Sequence, residues 1–223
     1  MQVVLFDIDG TLVRTGGAGS AAFGDALRTE FAIARMAAVS FEGRTDRGIV
    51  RELFGHHEVE DSEESWERFC RGYLKHLPER LRERKGEVLP GIAQILAELS
   101  QMKNTAVGLL TGNLRAGAQA KLGHYRLWEH FPFGGFGDTH SERNDVAVLA
   151  REAIQEAVGH VEPERVWVIG DTPLDIRCAR HIGARAVAVG TGNYTAEQLA
   201  EYQPDHALAD FSHPAALLRL LEG

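Results

Sequence analysis

Short runs of apolar residues alternate with helix-like segments over the second half of the chain. The runs at residues 106–110, 166–169 and 186–189 predict buried strands, and residues 3–6 predict another strand at the N-terminus. The segments between the later runs carry apolar residues at helical spacing. Continuous apolar strands separated by helices are typical of a parallel sheet that is covered on both faces. The pattern therefore predicts an α/β fold.

Residues 15–86 break this rhythm, because no strand-like run occurs among them. The apolar spacing there predicts three helices, the last over residues 63–81, with Pro78 as a kink or break. A glycine-rich connection precedes the segment and a charged linker ends it. We predict an all-helical domain of residues 15–86, inserted into a core domain of residues 1–14 and 87–223.

Composition and charge narrow the class of protein. The 223 residues are 44% hydrophobic and 25% charged, as in soluble globular proteins. The net charge of −8 argues against nucleic acid and anionic membrane as partners. No apolar run approaches the roughly 18 residues that span a bilayer, and the N-terminus lacks the basic region of a signal peptide. We expect a cytoplasmic protein with Cys70 and Cys178 as reduced thiols. Nothing in the sequence indicates an oligomeric state.

Polar side chains follow three of the predicted strands, at the point where each strand ends. These residues are Asp7 and Asp9, then Thr111, Gly112 and Asn113, then Asp171 and Asp175. Ligands of parallel sheets bind at the carboxyl ends of the strands, so we expect these residues to lie close together. Neighbouring buried carboxylates repel each other unless a cation lies between them, and Mg²⁺ prefers such ligands. A polar turn is the alternative interpretation of the first pair alone.

The spacing of these residues resembles the signature motifs of the haloacid dehalogenase-like phosphohydrolase superfamily. The motifs are Asp7-x-Asp9-x-Thr11, Thr111 at a strand end, and Gly170-Asp171-x-x-x-Asp175. The resemblance spans the whole chain. It implies a Rossmann-like, parallel-sheet core and identifies the inserted helices as a cap. Within the superfamily, the cap placement and the string at residues 170–175 are most similar to the phosphoglycolate phosphatase group.

The resemblance implies a Mg²⁺-dependent phosphatase that acts on a small-molecule phosphate monoester through an aspartyl-phosphate. Asp7 would be the nucleophile. Asp9 would protonate the leaving oxygen, activate water afterwards and touch the metal through its backbone carbonyl. Asp171 would hold Mg²⁺ together with Asp7. Asp175 would be either a supporting acid near the metal or a charge at a helix N-terminus.

Phosphate binding is implied at the second motif. Thr111, with the amides of Gly112 and Asn113, would bind phosphate oxygens at a helix start, and Thr11 would contribute from the first motif. The alternative for Thr111 is a simple helix N-cap. Both interpretations place this loop at the edge of the sheet.

The family pattern also requires a cation, usually a lysine, between the second and last motifs. Lys121 is the only lysine in that interval, but the spacing places it inside a helix, several turns from the strand end. Arg143 precedes a helix, and a guanidinium can bind phosphate through two parallel hydrogen bonds. We therefore expect Arg143 to neutralise the phosphate.

The choice of substrate is expected to lie in the cap. The loop of residues 43–46 would reach down to the leaving group, with Arg44 meeting a second anionic group and Thr45 beside it. The alternative is an ordinary turn between helices, with Asp46 as a helix cap.

Other functions use the same nucleophile. A phosphomutase of the β-phosphoglucomutase type would need a phosphoenzyme that resists water. A dehalogenase has no use for Asp9, because a halide leaves without a proton. A binding protein without turnover does not require Asp7, Asp9, Thr111 and Asp171 together. A phosphatase is therefore the preferred hypothesis.

Overall fold

The computed structural model describes residues 1–222, which contain eight strands and nine α-helices. The strands are β1 (Gln2–Phe6), β2 (Val13–Arg14), β3 (Glu87–Val88), β4 (Thr105–Leu110), β5 (Gly134–Gly135), β6 (Val166–Gly170), β7 (Arg185–Val189) and β8 (His206–Leu208). The helices are α1 (Ala18–Phe31), α2 (Asp46–His56), α3 (Glu63–Glu83), α4 (Ile92–Gln101), α5 (Arg115–His124), α6 (Arg143–Val158), α7 (Pro173–His181), α8 (Ala196–Ala200) and α9 (Pro214–Glu222).

Six strands form one parallel sheet in the order β5-β4-β1-β6-β7-β8. The first strand of the chain therefore lies in the middle, hydrogen-bonded to β4 on one side and to β6 on the other. Helices connect the successive parallel strands, as this kind of pairing requires. The predicted α/β fold with a parallel-sheet core and an inserted helical cap is confirmed.

The side chains of β1 alternate between two apolar layers. Val4 and Phe6 pack into one layer, whereas Val3 and Leu5 pack into the other, and all four are fully buried. Full burial of one such side chain stabilises a fold by about 1.5–3 kcal/mol. Because both faces of β1 are covered, every position of the strand after Gln2 is apolar.

The helices α1, α2 and α3 form a separate apolar cluster between β2 and β3. Phe23 is its centre, with edge-to-face ring contacts to Phe69 at 4.9 Å and to Tyr73 at 4.8 Å between centroids. The sheet-bearing part adds one buried residue to this cluster, Leu114, which lies just before α5. Ala120 and Tyr125 also pack against the cluster and are partly buried. The division into domains of residues 15–86 and the remainder stays a prediction.

A two-residue antiparallel ribbon joins the helical insert to the rest of the chain. Val13 pairs with Val88 and Arg14 pairs with Glu87, whose side chains also form an ion pair of 2.8 Å. The chain therefore enters and leaves the insert at adjacent positions.

Several boundaries differ from the sequence pattern. The helix α3 continues through Pro78 to Glu83, because a proline removes one N–H from a long helix without ending it. The helix α5 continues past Gly123, where nothing lies within 4 Å of the position of a Cβ atom. The short elements β2, β3 and α8 escaped prediction, because two to five residues are too few to show a period.

Both cysteines are free thiols, with Cys178 buried and Cys70 partly buried. Burial raises the pKa of each thiol to about 12. Across residues 1–222, a helix with the length and apolar character of a membrane span is absent.

Candidate active site

The register of the sheet brings three strand ends to one edge. Phe6, at the end of β1, lies opposite Leu109 in β4 and Ile169 in β6. The residues that follow these three positions emerge side by side. Asp7 is held there by its backbone N–H, which donates a 2.9 Å hydrogen bond to Ile169 O.

Three carboxylates gather at this edge. Asp7, Asp171 and Asp175 are buried, and each offers an oxygen within 4.8 Å of the others. Burial raises the pKa of Asp7 to about 6, against the opposing charge of Arg143. Burial, Asp175 and Asp7 hold the pKa of Asp171 well above its usual range. Converging hard oxygen donors that repel each other fit a magnesium ion.

Two glycines make room for the Asp171 carboxylate. A Cβ atom would lie 2.3 Å from Asp171 Oδ2 at Gly10 and 1.8 Å from it at Gly192. Gly10 also adopts a φ of 84°, in the left-handed region that favours glycine. Thr11 Oγ1 donates a 3.0 Å hydrogen bond to Asp171 Oδ1, and Thr11 itself is completely buried behind the edge. Thr11 therefore positions a carboxylate instead of facing the cavity.

Arg143 lies at the first position of α6 and is buried within the acidic cluster. Its Nη2 atom lies 3.1 Å from Asp7 Oδ1 and 2.6 Å from Asp175 Oδ1. Burial lowers the pKa of Arg143, but the Asp175 and Asp7 charges outweigh it and raise the pKa above its usual range. One guanidinium does not balance three carboxylates, and a divalent cation would offset the remaining negative charge.

Asp175 lies at the start of α7 and within the acidic cluster, and its two carboxyl oxygens have different partners. Its Oδ2 atom accepts hydrogen bonds from the N–H of Thr172 at 3.0 Å and from the Thr172 hydroxyl at 2.7 Å, at the start of α7. Its Oδ1 atom accepts from Arg143. Asp175 thus completes the capping box of Thr172 and also belongs to the acidic cluster, and its role at a metal stays a prediction.

The expectation that Lys121 lies far from the strand end is wrong. Lys121 is buried, and its ammonium group donates hydrogen bonds to Asp9 Oδ2 and Asn113 Oδ1. It follows Gly117 and Ala118 on the buried face of α5, and side chains lean toward the helix N-terminus. Burial lowers the pKa of Lys121, but the charges of Asp9 and Asp46 raise it by more. The pKa therefore lies above its ordinary value, and the ammonium stays charged.

The Asp9 carboxylate faces away from the other acids. Its Oδ2 atom accepts hydrogen bonds from Lys121 and from Asn113 Nδ2, the latter at 2.9 Å. Its side chain is 40% exposed, in contrast to the buried Asp7. The acidic group of Asp7, Asp171 and Asp175 does not include this carboxylate, so only the backbone carbonyl of Asp9 remains for the predicted metal contact.

Thr111 is completely buried, and Gly112 and Asn113 line the cavity in front of it. Thr111 Oγ1 accepts hydrogen bonds from Asn113 N at 3.3 Å and from Asn113 Nδ2 at 2.9 Å. The interpretation of Thr111 as an N-cap is wrong, because Leu114 occupies the N-cap position of α5. The Asn113 amide is thus already bonded, so the predicted phosphate contact of that amide requires it to leave Thr111.

A cavity of about 460 Å³ separates the sheet edge from the helical insert. The loop before α2 docks beside it, since Asp46 N donates to Gly112 O at 2.7 Å and Leu114 N donates to Asp46 Oδ2 at 2.8 Å. Burial raises the pKa of Asp46 to about 7, against the opposing charge of Lys121. The insert therefore covers the edge that carries the acids.

Arg44 and Thr45 have partners within the chain, and their contact with a substrate stays a prediction. Arg44 lines the cavity, but its guanidinium is bound to Glu52 at 2.5 Å and to the carbonyls of Ser40 and Gly48. Thr45, instead of Asp46, is the N-cap of α2, and its Oγ1 atom accepts from Gly48 N. That hydroxyl also donates to the carbonyl of Ser141 at 2.8 Å, and Thr45 is not among the described residues that line the cavity.

Tyr73, Phe23 and Thr191 are among the cavity residues that the sequence did not single out. Tyr73 and Phe23 belong to the apolar faces of predicted helices, which is also the pattern of ordinary core residues. Thr191 follows β7, and its hydroxyl donates to Gly10 O at 2.5 Å. Its position after a parallel strand is the one signal that could have placed it at the site.

Comparison with known proteins supports the motif assignment. The family model for haloacid dehalogenase-like hydrolases matches residues 4–189. A phosphoglycolate phosphatase of Synechococcus elongatus is 29% identical over 221 residues, covering 93% of this chain and 92% of its own length. A phosphoglycolate phosphatase of Chromobacterium violaceum is 26% identical over 204 residues, covering 89% of both chains.

Solved structures show the same fold. A hydrolase from Pseudomonas syringae superposes with a TM-score of 0.75 at 20% identity, covering 99% of both chains. The family-model match and the two curated relatives confirm the predicted family and enzyme class. With its strand-end aspartates and its helical insert, the chain belongs to the haloacid dehalogenase-like hydrolase family, as a phosphatase of the phosphoglycolate phosphatase-like group.

Proposed function

We propose that this protein is a Mg²⁺-dependent phosphatase that hydrolyses a small-molecule phosphate monoester through an aspartyl-phosphate. The observation that carries the proposal is the meeting of Asp7, Asp9 and Asp171 with two buried cations at one edge of the sheet, under the helical insert. The two curated relatives make 2-phosphoglycolate the first ester to test.

The metal is assigned to Asp7, Asp171 and Asp175, with the backbone carbonyl of Asp9 as a further oxygen ligand. Their buried, mutually repelling carboxylates support this assignment. When bound, Mg²⁺ neutralises charge on the phosphoryl group and on the attacking carboxylate. Arg143 alone supplies one positive charge to three carboxylates, so the cluster retains an electrostatic demand for the ion.

Asp7 is assigned as the nucleophile. Its carboxylate oxygen forms a bond to phosphorus while the bond from phosphorus to the ester oxygen breaks. The leaving oxygen takes a proton from Asp9, which lies two residues on and reaches the cavity. Asp9 then accepts a proton from the water that attacks the aspartyl-phosphate. This second step releases inorganic phosphate and restores the Asp7 carboxylate.

The remaining polar groups hold the phosphate and the acid. Arg143 lies against Asp7 and is assigned to the transferred phosphoryl oxygens, together with the backbone of Gly112. Thr111 is fully buried and its hydroxyl is bonded to Asn113, so its predicted contact with the phosphate requires a shift of this loop. Lys121 contacts Asp9, and we assign it as a second cation that neutralises the negative charge of the phosphoryl group. Two cations therefore take the place of the single cation expected from the motifs.

The organisation of the chain follows from this function. We assign residues 15–86 as a cap domain over a core of residues 1–14 and 87–223, since the insert has its own apolar cluster and covers the site. Two free thiols support a reducing location, and we place the protein in the cytoplasm.

Phosphate release from a panel of small esters tests the function. Wild-type protein should release phosphate with Mg²⁺ and not with EDTA, and Asp7→Asn should show no release. Asp145→Asn, an exposed carboxylate on α6, is the matched control and should retain turnover. Substantial Mg²⁺-dependent turnover by folded Asp7→Asn would refute the assignment of the nucleophile.

A further inference from the structure

One polar atom in the cavity wall has no role in the chemistry above. Tyr73 is fully buried on α3, and its hydroxyl has no hydrogen-bond partner within residues 1–222. A hydroxyl buried without a partner is unfavourable, so such a group calls for an explanation. Tyr73 also lines the cavity, where a bound molecule could supply the partner.

The position of this hydroxyl is fixed by packing. The ring of Tyr73 lies edge-to-face with Phe23 at 4.8 Å and stacks on Phe69 at 6.2 Å between centroids. On the far side, a Cβ atom at Gly117 of α5 would stand 3.3 Å from Tyr73 Oη. Gly117 lies one helical turn before Lys121, the partner of Asp9. The hydroxyl is therefore presented on the side of the assigned general acid, where the leaving group would lie.

Apart from Arg44, Thr15, Ser20 and several glycines, the rest of the wall on the side of the insert is apolar or acidic. Phe23, Phe41 and Ile49 supply apolar surface, whereas Glu42 and Asp46 supply carboxyl groups. Such a surface offers an alcohol an apolar face and hydrogen-bond partners. The carboxylate of Glu42 also repels a second negative charge.

The arginines that line the cavity away from the acidic cluster are already engaged. Arg44 is bound to Glu52 and to two carbonyls. Arg14 is bound to Glu87 at 2.8 Å and to Thr191 O at 3.0 Å. Among the described residues on this side of the cavity, no unpaired cation is present to receive a carboxylate. A substrate with an anionic alcohol half would meet acids and occupied arginines.

We propose that Tyr73 is a specificity-determining residue that selects a phosphate ester of a neutral, hydroxyl-bearing alcohol, by pairing its buried hydroxyl with a hydroxyl of that alcohol. The inference rests on the proposed phosphatase function and narrows its substrate class. A cavity of about 460 Å³ has room for an alcohol larger than the two-carbon glycolate. The apolar side of the alcohol lies against Phe23, Phe41 and Ile49.

The test compares three esters with the full-length, Mg²⁺-loaded enzyme. Ribose 5-phosphate has a neutral, hydroxylated alcohol half, phenyl phosphate has a neutral one without a further hydroxyl, and 2-phosphoglycolate has a carboxylate. Wild-type enzyme should show kcat/KM for ribose 5-phosphate at least about tenfold above that for 2-phosphoglycolate, because the carboxylate of the latter would be repelled by Glu42 in the cavity wall.

The variant Tyr73→Phe removes the hydroxyl and keeps the ring. Its kcat/KM for ribose 5-phosphate should fall about tenfold, with a change below about twofold for phenyl phosphate. Its melting temperature should not fall, since the hydroxyl has no partner in the folded chain. Tyr202→Phe, at an exposed tyrosine, is the control and should change neither ester.

The possible outcomes distinguish a failure of the role of Tyr73 from a failure of the phosphatase function. Equal losses for both esters, or no loss for either, would overturn the role of Tyr73 while the phosphatase function stands. A wild-type preference for 2-phosphoglycolate would overturn the neutral alcohol. Absence of Mg²⁺-dependent release from all three esters by folded wild-type enzyme would overturn the phosphatase function itself.

Discussion

Asp46 is a buried carboxyl group at the contact between the helical insert and the loop after β4. Replacing it with asparagine removes the titratable group and retains an oxygen that can accept the hydrogen bond from Leu114 N. We expect Asp46→Asn to be more stable than the wild type, and increasingly so as the pH rises.

The magnitude follows from the pKa of Asp46, which burial raises from 3.8 to about 7. Each pKa unit corresponds to about 1.4 kcal/mol, so the ionised carboxylate destabilises the fold by about 4 kcal/mol relative to the protonated form. The folded chain keeps this proton until about pH 7, whereas the unfolded chain releases it near pH 3.8. The folded state therefore binds more protons across this window, and stability falls as the pH rises through it.

Urea unfolding of both proteins at pH 5 and pH 8, in EDTA, measures the effect. The gain in unfolding free energy of Asp46→Asn should be about 2 kcal/mol at pH 5 and about 4 kcal/mol at pH 8. Comparing the two pH values cancels any fixed difference between carboxyl and carboxamide. Asp145→Asn, at an exposed position, should change by less than about 1 kcal/mol at either pH. A gain that does not vary with pH would show that Asp46 is not held protonated, and would refute the reasoning.

Three further predictions concern the site. Lys121→Met should lower kcat/KM for phosphate esters by about 100-fold, because it removes a buried cation from the edge; steady-state kinetics with saturating Mg²⁺ measure this, and a loss below threefold would exclude the lysine from the site. Gly192→Ala should raise the Mg²⁺ concentration for half-maximal activity about tenfold or more, because a Cβ atom would stand 1.8 Å from Asp171 Oδ2. Gly123→Ala, with open space around it, is its control in the same titration, and equal Mg²⁺ requirements would contradict the crowding. Arg44→Gln should change KM by less than about twofold, because the guanidinium is held by other partners; a large rise in KM would return this arginine to the substrate site.

The sheet and its acidic edge could be predicted because they depend on local patterns. Strands covered on both faces appear as continuous apolar runs, such as Val3 to Phe6, and a carboxylate directly after such a run stands out. The rule that parallel strand ends meet then places Asp7 beside Asp171 without any knowledge of distance. Chain order could not show that β1 lies between β4 and β6, because the two pairings join segments about 100 and about 160 residues apart.

The contacts of long side chains could not be predicted in the same way. Lys121 was placed by its position along a helix, whereas its ammonium group reaches back along the buried face. A lysine three residues after Ala118 on an otherwise small, buried face was the available signal. Arg44 and Thr45 were assigned to substrate by their loop, but partners elsewhere in the chain, Glu52 and Ser141, occupy their polar groups. Such pairings depend on tertiary contacts that no local pattern encodes.

The ribbon of β2 and β3 has a consequence for how such a protein can be remodelled. Because Val13 pairs with Val88, the roughly 70 residues between them begin and end at the same two-residue ribbon. The parallel sheet is continuous without them. The entropic cost of closing a loop grows only with the logarithm of its length. The free energy of closing a long insert at this ribbon therefore exceeds that of closing a short turn by a few kcal/mol at most. The helical insert can thus be exchanged as a unit to accommodate new leaving groups. The strand ends that carry the aspartates would stay in register, because the sheet does not depend on the insert.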